Sequence, residues 1–353
     1  MTEVEKFGTL ENGQAVFCYK ITNKNGAYIR VLNYGCTIVS VCVPDRNGRL
    51  TDVALGYESL DEYVSLDGYL GMLVGRCANR IAEGRFILNG KQYQLAVNNG
   101  PNHLHGGIHG FSSRIFDCKC GENTLEFTLV SEDGDENYPG KLTLTALYRF
   151  TDDNEIVLNY RAESTADTVV NITNHSYFDL NGQGSSKAME QRVKLYSGAF
   201  ADINENMIPM GELRKIEKGS PFDFSEFKAL GKDINADDEQ LVLANGYDHS
   251  FSLDGECVDK YGVSGIKPAA ELLSDGTGIK MEIFTTQPAV QMYTANFLTP
   301  REGKNGAVYA QRSAVAFETQ NFPDAVNQSN FPSPVLRASE IYDHTTVYRF
   351  SNI

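Results

Sequence analysis

The sequence predicts an all-β protein, one large antiparallel β-sandwich with few short helices spanning residues 1–353 as a single domain. Three observations lead there. Asn-Gly pairs begin at Asn12, Asn25, Asn47, Asn89, Asn99, Asn181, Asn245 and Asn305, and Asp-Gly pairs at Asp67, Asp133, Asp254 and Asp275. These dipeptides tolerate the positive φ that two-residue hairpin turns need. The segments between them alternate apolar and polar residues or are rich in β-branched and aromatic side chains. No Pro/Ser linker, fixed-period repeat or low-complexity stretch divides the chain.

Taken in order, residues 60–64 read as a short helix. Residues 85–95 read as strand, Asn89-Gly90 turn, strand. Residues 141–150 alternate Leu142 and Leu144 with Thr143 and Thr145, the period of a half-buried strand. Asp152-Asp153-Asn154 turns the chain into a partner strand at 155–162. Residues 168–172 read as another strand. The stretch 182–245 is loop-rich, tied down by Phe200, Ile208 and Phe222, with a second short helix at 224–230. Residues 279–284, 290–293 and 314–318 complete the strands.

Composition narrows the function. The 353 residues carry 31 Lys plus Arg against 46 Asp plus Glu, a formal charge of −15. That balance argues against nucleic acid or an anionic membrane as partner, because both select basic surfaces. Hydrophobic residues at 41% give a globular chain able to bury a large core. Seven scattered cysteines, an odd number, fit a reducing compartment better than a disulfide framework. No run approaches the roughly 18 apolar residues of a membrane span. The opening MTEVEKFGTL has no basic, then apolar, leader pattern. The expectation is a cytoplasmic protein.

Candidate chemistry gathers at a few positions. His103, His105 and His109 fall in the Gly-rich stretch 101–109, where His103 and His105 would share one face of an extended chain. They suit a metal or, better, a hydrogen-bonded ligand, since no Asp, Glu or Cys nearby completes a ligand set. His175 follows the strand at 168–172 and sits among Asn174, Ser176 and Tyr177. It can transfer protons or serve as a satisfied structural histidine. Glu318 directly follows the apolar run 314–317. Burial would raise its pKa toward the range of a general base, unless a salt bridge holds it. Asn79-Arg80 offers a planar donor fork for hydroxyls, or a surface arginine. Asp248 offers an acceptor, or an Asx turn. Phosphate-loop, dinucleotide, zinc-protease and nucleophile-elbow patterns are missing, which lowers phosphoryl transfer, nicotinamide chemistry and serine hydrolysis.

At these segments the sequence resembles the aldose 1-epimerase (galactose mutarotase) family. The matching blocks are Gly75-Arg-Cys-Ala-Asn-Arg-Ile-Ala-Glu-Gly84, Asn102-His-Leu-His-Gly-Gly107 and Thr173-Asn-His-Ser-Tyr-Phe178. Tyr247-Asp-His249, Thr285-Thr-Gln-Pro288 and Phe317-Glu-Thr-Gln-Asn-Phe-Pro-Asp-Ala-Val-Asn327 follow in the same order. The resemblance implies a galactose-mutarotase-like sandwich with a sugar in an open cleft. It implies cofactor-free, metal-free interconversion of the α and β anomers of hexoses such as galactose and glucose. It makes His175 the general acid and Glu318 the general base, and Asn79, Arg80, His105, Tyr177, Asp248 and Gln287 the sugar-binding residues. Phe116 and Phe322 stand where tryptophans are expected, and the chain has no Trp.

Those residue types suit the chemistry, since an ionised carboxylate can take the C1 hydroxyl proton and an imidazolium can protonate the ring oxygen. The expected partner is a small aldohexose, with no nucleic acid or membrane, and the protein a monomer or homodimer. The alternatives are a hexose-6-phosphate 1-epimerase, which would need a basic phosphate pocket, and a non-catalytic sugar-binding protein on the same fold.

Overall fold

The structure, a computed structural model, describes residues 2–353. An N-terminal meander joins Thr2–Thr9, Ala15–Thr22, Tyr28–Leu32, Ile38–Pro44 and Leu50–Asp52 in chain order. Three of its turns fall on Asn12-Gly13, Asn25-Gly26 and Asn47-Gly48, with Gly13, Gly26 and Gly48 all at positive φ. Asn89-Gly90 likewise joins Arg85–Leu88 to Lys91–Gln94, as the sequence predicts.

Two further sheets form the sandwich. A ten-stranded antiparallel sheet holds Thr124–Ser131, Leu142–Phe150 and Glu155–Ser164 as sequential neighbours. The C-terminal strand Tyr342–Asn352 then inserts between Glu155–Ser164 and Ile279–Thr285. A six-stranded sheet runs in the order Tyr177–Phe178, Val315–Gln320, Ala289–Tyr293, Asp248–Ser252, Ala199–Ile203 and Pro209–Lys215. One apolar cluster spans all three sheets. Ile29, Val31 and Val41 come from the meander, Leu144, Tyr148 and Leu158 from the large sheet, and Phe251, Val290, Met292, Val315 and Phe317 from the six-stranded one. Each such side chain, fully buried, contributes about 1.5–3 kcal/mol. Two hydrogen bonds cross the core between the sheets, Tyr348 hydroxyl to Phe317 carbonyl (3.2 Å) and Thr319 to Thr346 through their hydroxyls (2.5 Å).

Several local expectations change. The helix at Leu60–Ser65 forms, with Ser59 and Glu62 making a capping box. Residues 224–230 are not helical. Asp223 turns the chain by accepting from the Ser225 backbone and hydroxyl, and Lys228–Ala229 pairs with Arg192–Leu195. The second helix lies instead at Glu239–Ala244. Asn245-Gly246, read as a hairpin turn, is its left-handed C-cap, because positive φ serves either end equally. The stretch 182–245 also carries more strand than its loop-like sequence suggests, while Phe200, Ile208 and Phe222 are buried as expected. The strand at 168–172 shortens to Thr168–Val169, and the chain pairs again at Thr173–Asn174. Among the described residues no helix is long and apolar enough to cross a membrane.

Candidate active site

Strand parity places the chemistry. Along Val315–Gln320, Val315 and Phe317 point into the core, so Glu318 points to the opposite face. Gln291 lies directly across from Glu318, and Ser250 directly across from Gln291. In the next row Asp248 opposes Tyr293, and Tyr293 and Tyr177 both oppose Ala316. This face of the six-stranded sheet floors an open cleft of about 660 Å³.

His175 reaches the floor from Thr173–Asn174, which pairs with Leu73–Val74. Its Nε2 lies 3.5 Å from Glu318 Oε1, with both side chains almost wholly buried. Tyr177 packs beside the imidazole at 4.9 Å between ring centroids, and its hydroxyl donates to the Gly68 carbonyl (2.8 Å). Asp248 accepts from Gln291 Nε2 at 2.6 Å.

The other wall comes from two facing loops. Arg80–Ile81 pairs with His103–Leu104, and Arg80 Nε donates to Asn99 Oδ1 at 3.1 Å. The chain breaks out of the extended form at His105 (φ 52°), which separates the two histidines. His103 is structural rather than a site residue. Its Nδ1 donates to the Ala96 carbonyl and its Nε2 accepts from the Tyr138 hydroxyl, both at 2.7 Å. His105 turns into the cleft instead. The Gly106 that follows, at φ 84°, lies so close to the Gly75 carbonyl that a Cβ there would come within 1.9 Å of it. Only glycine allows that approach. Arg76 in the same segment is also structural, buried with its guanidinium on Ser131 and the Gly140 carbonyl.

Burial sets the electrostatics. It lowers His175 to about 4. It raises Glu318 well above an ordinary carboxylate, an effect Asp248 adds to and Arg80 opposes. It also raises Asp248, against Arg80 and the Gln291 hydrogen bond. His105 falls well below its usual value through burial, reinforced by His175.

His105, His175 and Glu318 each present one possible ligand atom, all within 4.8 Å of one another. The Asn79 backbone N–H, however, donates to His105 Nδ1 at 3.2 Å. That fixes the ring proton on Nε2, so His105 offers an N–H donor there and not a metal-binding lone pair. The arrangement suits a neutral, polyhydroxylated ligand better than a cation.

A match to the Aldose 1-epimerase family covers residues 18–349. The chain belongs to that family. It is 44% identical to galactose mutarotase of Bos taurus over 324 residues, 92% of this chain and 91% of the relative. It is 42% identical to galactose mutarotase of Sus scrofa over 346 residues, 98% of this chain and 97% of that one. A solved GalM/aldose epimerase homologue from C. elegans superposes with a TM-score of 0.85 at 28% identity, covering 95% of this chain and 98% of the other.

Of the residues expected to bind sugar in this epimerase family, Asn79, Arg80, His105, Tyr177 and Asp248 join His175 and Glu318 around the cleft. Gln287 does not. It donates to the Tyr342 hydroxyl (2.8 Å) and lines a separate groove with Pro332 and His344. The glutamine next to the site is Gln291, four residues later, and the alternation of Val290 and Met292 around it was the available signal. Tyr69 was missed as well. It follows the Asp67-Gly68 turn at φ 56°, its ring 4.7 Å from that of His105 and 6.1 Å from that of His175, and nothing local in the sequence marks it. Phe116 sits in the core and Phe322 stacks on Phe331, so the cleft aromatics are Tyr69, Tyr177, Tyr293 and Phe297.

Proposed function

We propose that this chain interconverts the α and β anomers of aldohexoses such as galactose and glucose, with Glu318 as base and His175 as acid. The 3.5 Å spacing of these two buried groups on the cleft floor carries the reading. In a pyranose the C1 hydroxyl and the ring oxygen are both bonded to C1, so groups that serve them must be neighbours.

The pair holds one proton between them. Burial disfavours charge on either partner, so in the sugar-free cleft that proton rests on Glu318. The carboxylate and imidazolium expected from the sequence are thus the reactive arrangement rather than the resting one. Both have the same proton count, and sugar hydroxyls beside Arg80 favour the charged form. Glu318 then takes the C1 hydroxyl proton, the O–H electrons form C1=O, and the C1–ring oxygen bond breaks. The freed oxygen takes the His175 proton. The aldehyde rotates about C1–C2, and closure reverses each step on the other face. General acid–base catalysis supplies about 10²–10⁴-fold and fixing the sugar supplies more. Arg80, Asp248 and the N–H of His105 would hold the remaining hydroxyls.

The hexose-6-phosphate alternative is disfavoured. Arg80 is the only Lys or Arg among the described residues lining the cleft, opposite Asp248 and Glu318, with Glu205 at the rim. A phosphate would need more positive charge. Polarimetry on freshly dissolved α-D-galactose and on glucose-6-phosphate tests the assignment. Acceleration with galactose is expected. A preference for glucose-6-phosphate would favour the rival enzyme, and saturable binding without acceleration would favour a binding module.

A further inference from the structure

The cleft face of the six-stranded sheet contains a cluster of buried polar atoms that the mechanism does not use. Glu318 Oε2, Gln291 Oε1, Ser250 Oγ and both polar atoms of the Gln320 side chain are sealed from solvent, with no hydrogen-bond partner among the described residues. Orphaned buried groups cost free energy, and native proteins rarely leave several together.

Register gathers these groups. Ser250, Gln291 and Glu318 form one row across three adjacent strands. Gln320 lies two residues beyond Glu318 on the same face, opposite Ala289. Ala289 packs with Ala201, Phe322 and Phe331, which close this end. Glu318 Oε1 looks toward His175, while Oε2 is the carboxyl's unpaired atom. Two potential donors, the Gln320 amide and the Ser250 hydroxyl, share its face. Neither lines the cleft, so neither is placed to touch the sugar.

We propose that Gln320 and Ser250 are positioning residues for Glu318, solvating its ionised carboxylate through Oε2, Gln320 directly or through a bridging water and Ser250, two strands away, through water. The proposal rests on Glu318 being the base. A base buried this deeply needs donors that favour its charged form, or its proton stays in place. The other groups facing it cannot all do so. His175 and His105 face the sugar side, and Asp248 opposes ionisation while Arg80 favours it. Tyr177 and Tyr293 flank Glu318, and Tyr348 stands across the core with its hydroxyl on the Phe317 carbonyl.

The test replaces Gln320 by an apolar side chain of similar length, Gln320→Met. The Glu318 carboxyl is titrated in the sugar-free protein by difference infrared spectroscopy against a Glu318→Gln baseline. Loss of donors at Oε2 disfavours the charged form, so the titration is expected to move up. A rise of about one pH unit, with kcat at neutral pH about tenfold lower, is the expected size. The alkaline limb of kcat/KM moves the same way and KM stays near the wild-type value. Ser250→Ala shifts in the same direction, Ser250→Thr keeps the hydroxyl and the wild-type profile, and this pair decides if Gln320→Met does not fold. An unchanged Glu318 titration in folded Gln320→Met or Ser250→Ala overturns the proposal and leaves the base assignment standing. Activity surviving in Glu318→Gln overturns both.

Discussion

The two faces of the six-stranded sheet are equally buried and differ in what their side chains carry. Toward the core, Phe251, Val290, Met292, Val315 and Phe317 pack into one apolar cluster. Toward the cleft, one residue out of step, Asp248, Gln291, Glu318 and Gln320 are also nearly sealed, Glu318 at 2% exposure against 0% for Phe317 on the core side. The core face is mostly apolar contact, with the Thr319–Thr346 hydrogen bond and His249 Nε2 among its few polar atoms. The cleft face keeps atoms without partners, among them Glu318 Oε2 and Gln291 Oε1. Burial therefore does not separate the two faces; the polar side chains that Asp248, Gln291, Glu318 and Gln320 carry into it do.

The largest effect expected separates these faces at adjacent residues. Glu318→Gln should lower kcat for galactose by about 10²–10⁴-fold while thermal unfolding, followed by circular dichroism, stays near wild type. Phe317→Ala should do the reverse, losing about 3–5 kcal/mol in urea unfolding with far less effect on the turnover of molecules that remain folded. If both substitutions cost stability alike, the division of labour between faces is wrong. Next comes Asp248→Asn. It keeps the shape and removes a charged acceptor, so KM should rise about tenfold with a smaller change in kcat, read from initial polarimetric rates.

The pH profile refines the same contrast. Below about 4, His175 takes up a proton while Glu318 keeps its own, and no base remains. Above the raised Glu318 value the last proton leaves and no acid remains. Activity should form a broad plateau through neutral pH with falls on both sides. A maximum confined between the unperturbed values of Glu and His, about 4.3 and 6.5, would show that burial does not tune the pair. The smallest effect is expected from Gln287→Ala. Its groove is separate, so KM should match wild type, and a marked rise would restore Gln287 to the sugar site.

Much of this was legible in the sequence, and the gaps have physical causes. Asn-Gly turns revealed the hairpins because positive φ is a local demand. The same demand misplaced Asn245-Gly246, which caps a helix. Glu318 stood out as a carboxylate after an apolar run, and His175 as an imidazole at a strand end. Their meeting is a product of long-range strand order, and the matching family blocks supplied it. Gln287 and Gln291 are four residues apart, a spacing that would share one face of a strand, but the strand begins at Ala289 and Gln287 lies in the bend before it, where parity does not apply. Tyr69 enters through a left-handed backbone conformation at a bulky residue, which no periodicity reveals.

The most direct measurement is a crystal structure with galactose bound. The C1 hydroxyl oxygen should lie about 2.6–3.2 Å from the Glu318 carboxyl and the ring oxygen within the same reach of His175 Nε2. A hexose bound with C1 turned toward the mouth of the cleft, away from both side chains, would contradict the account.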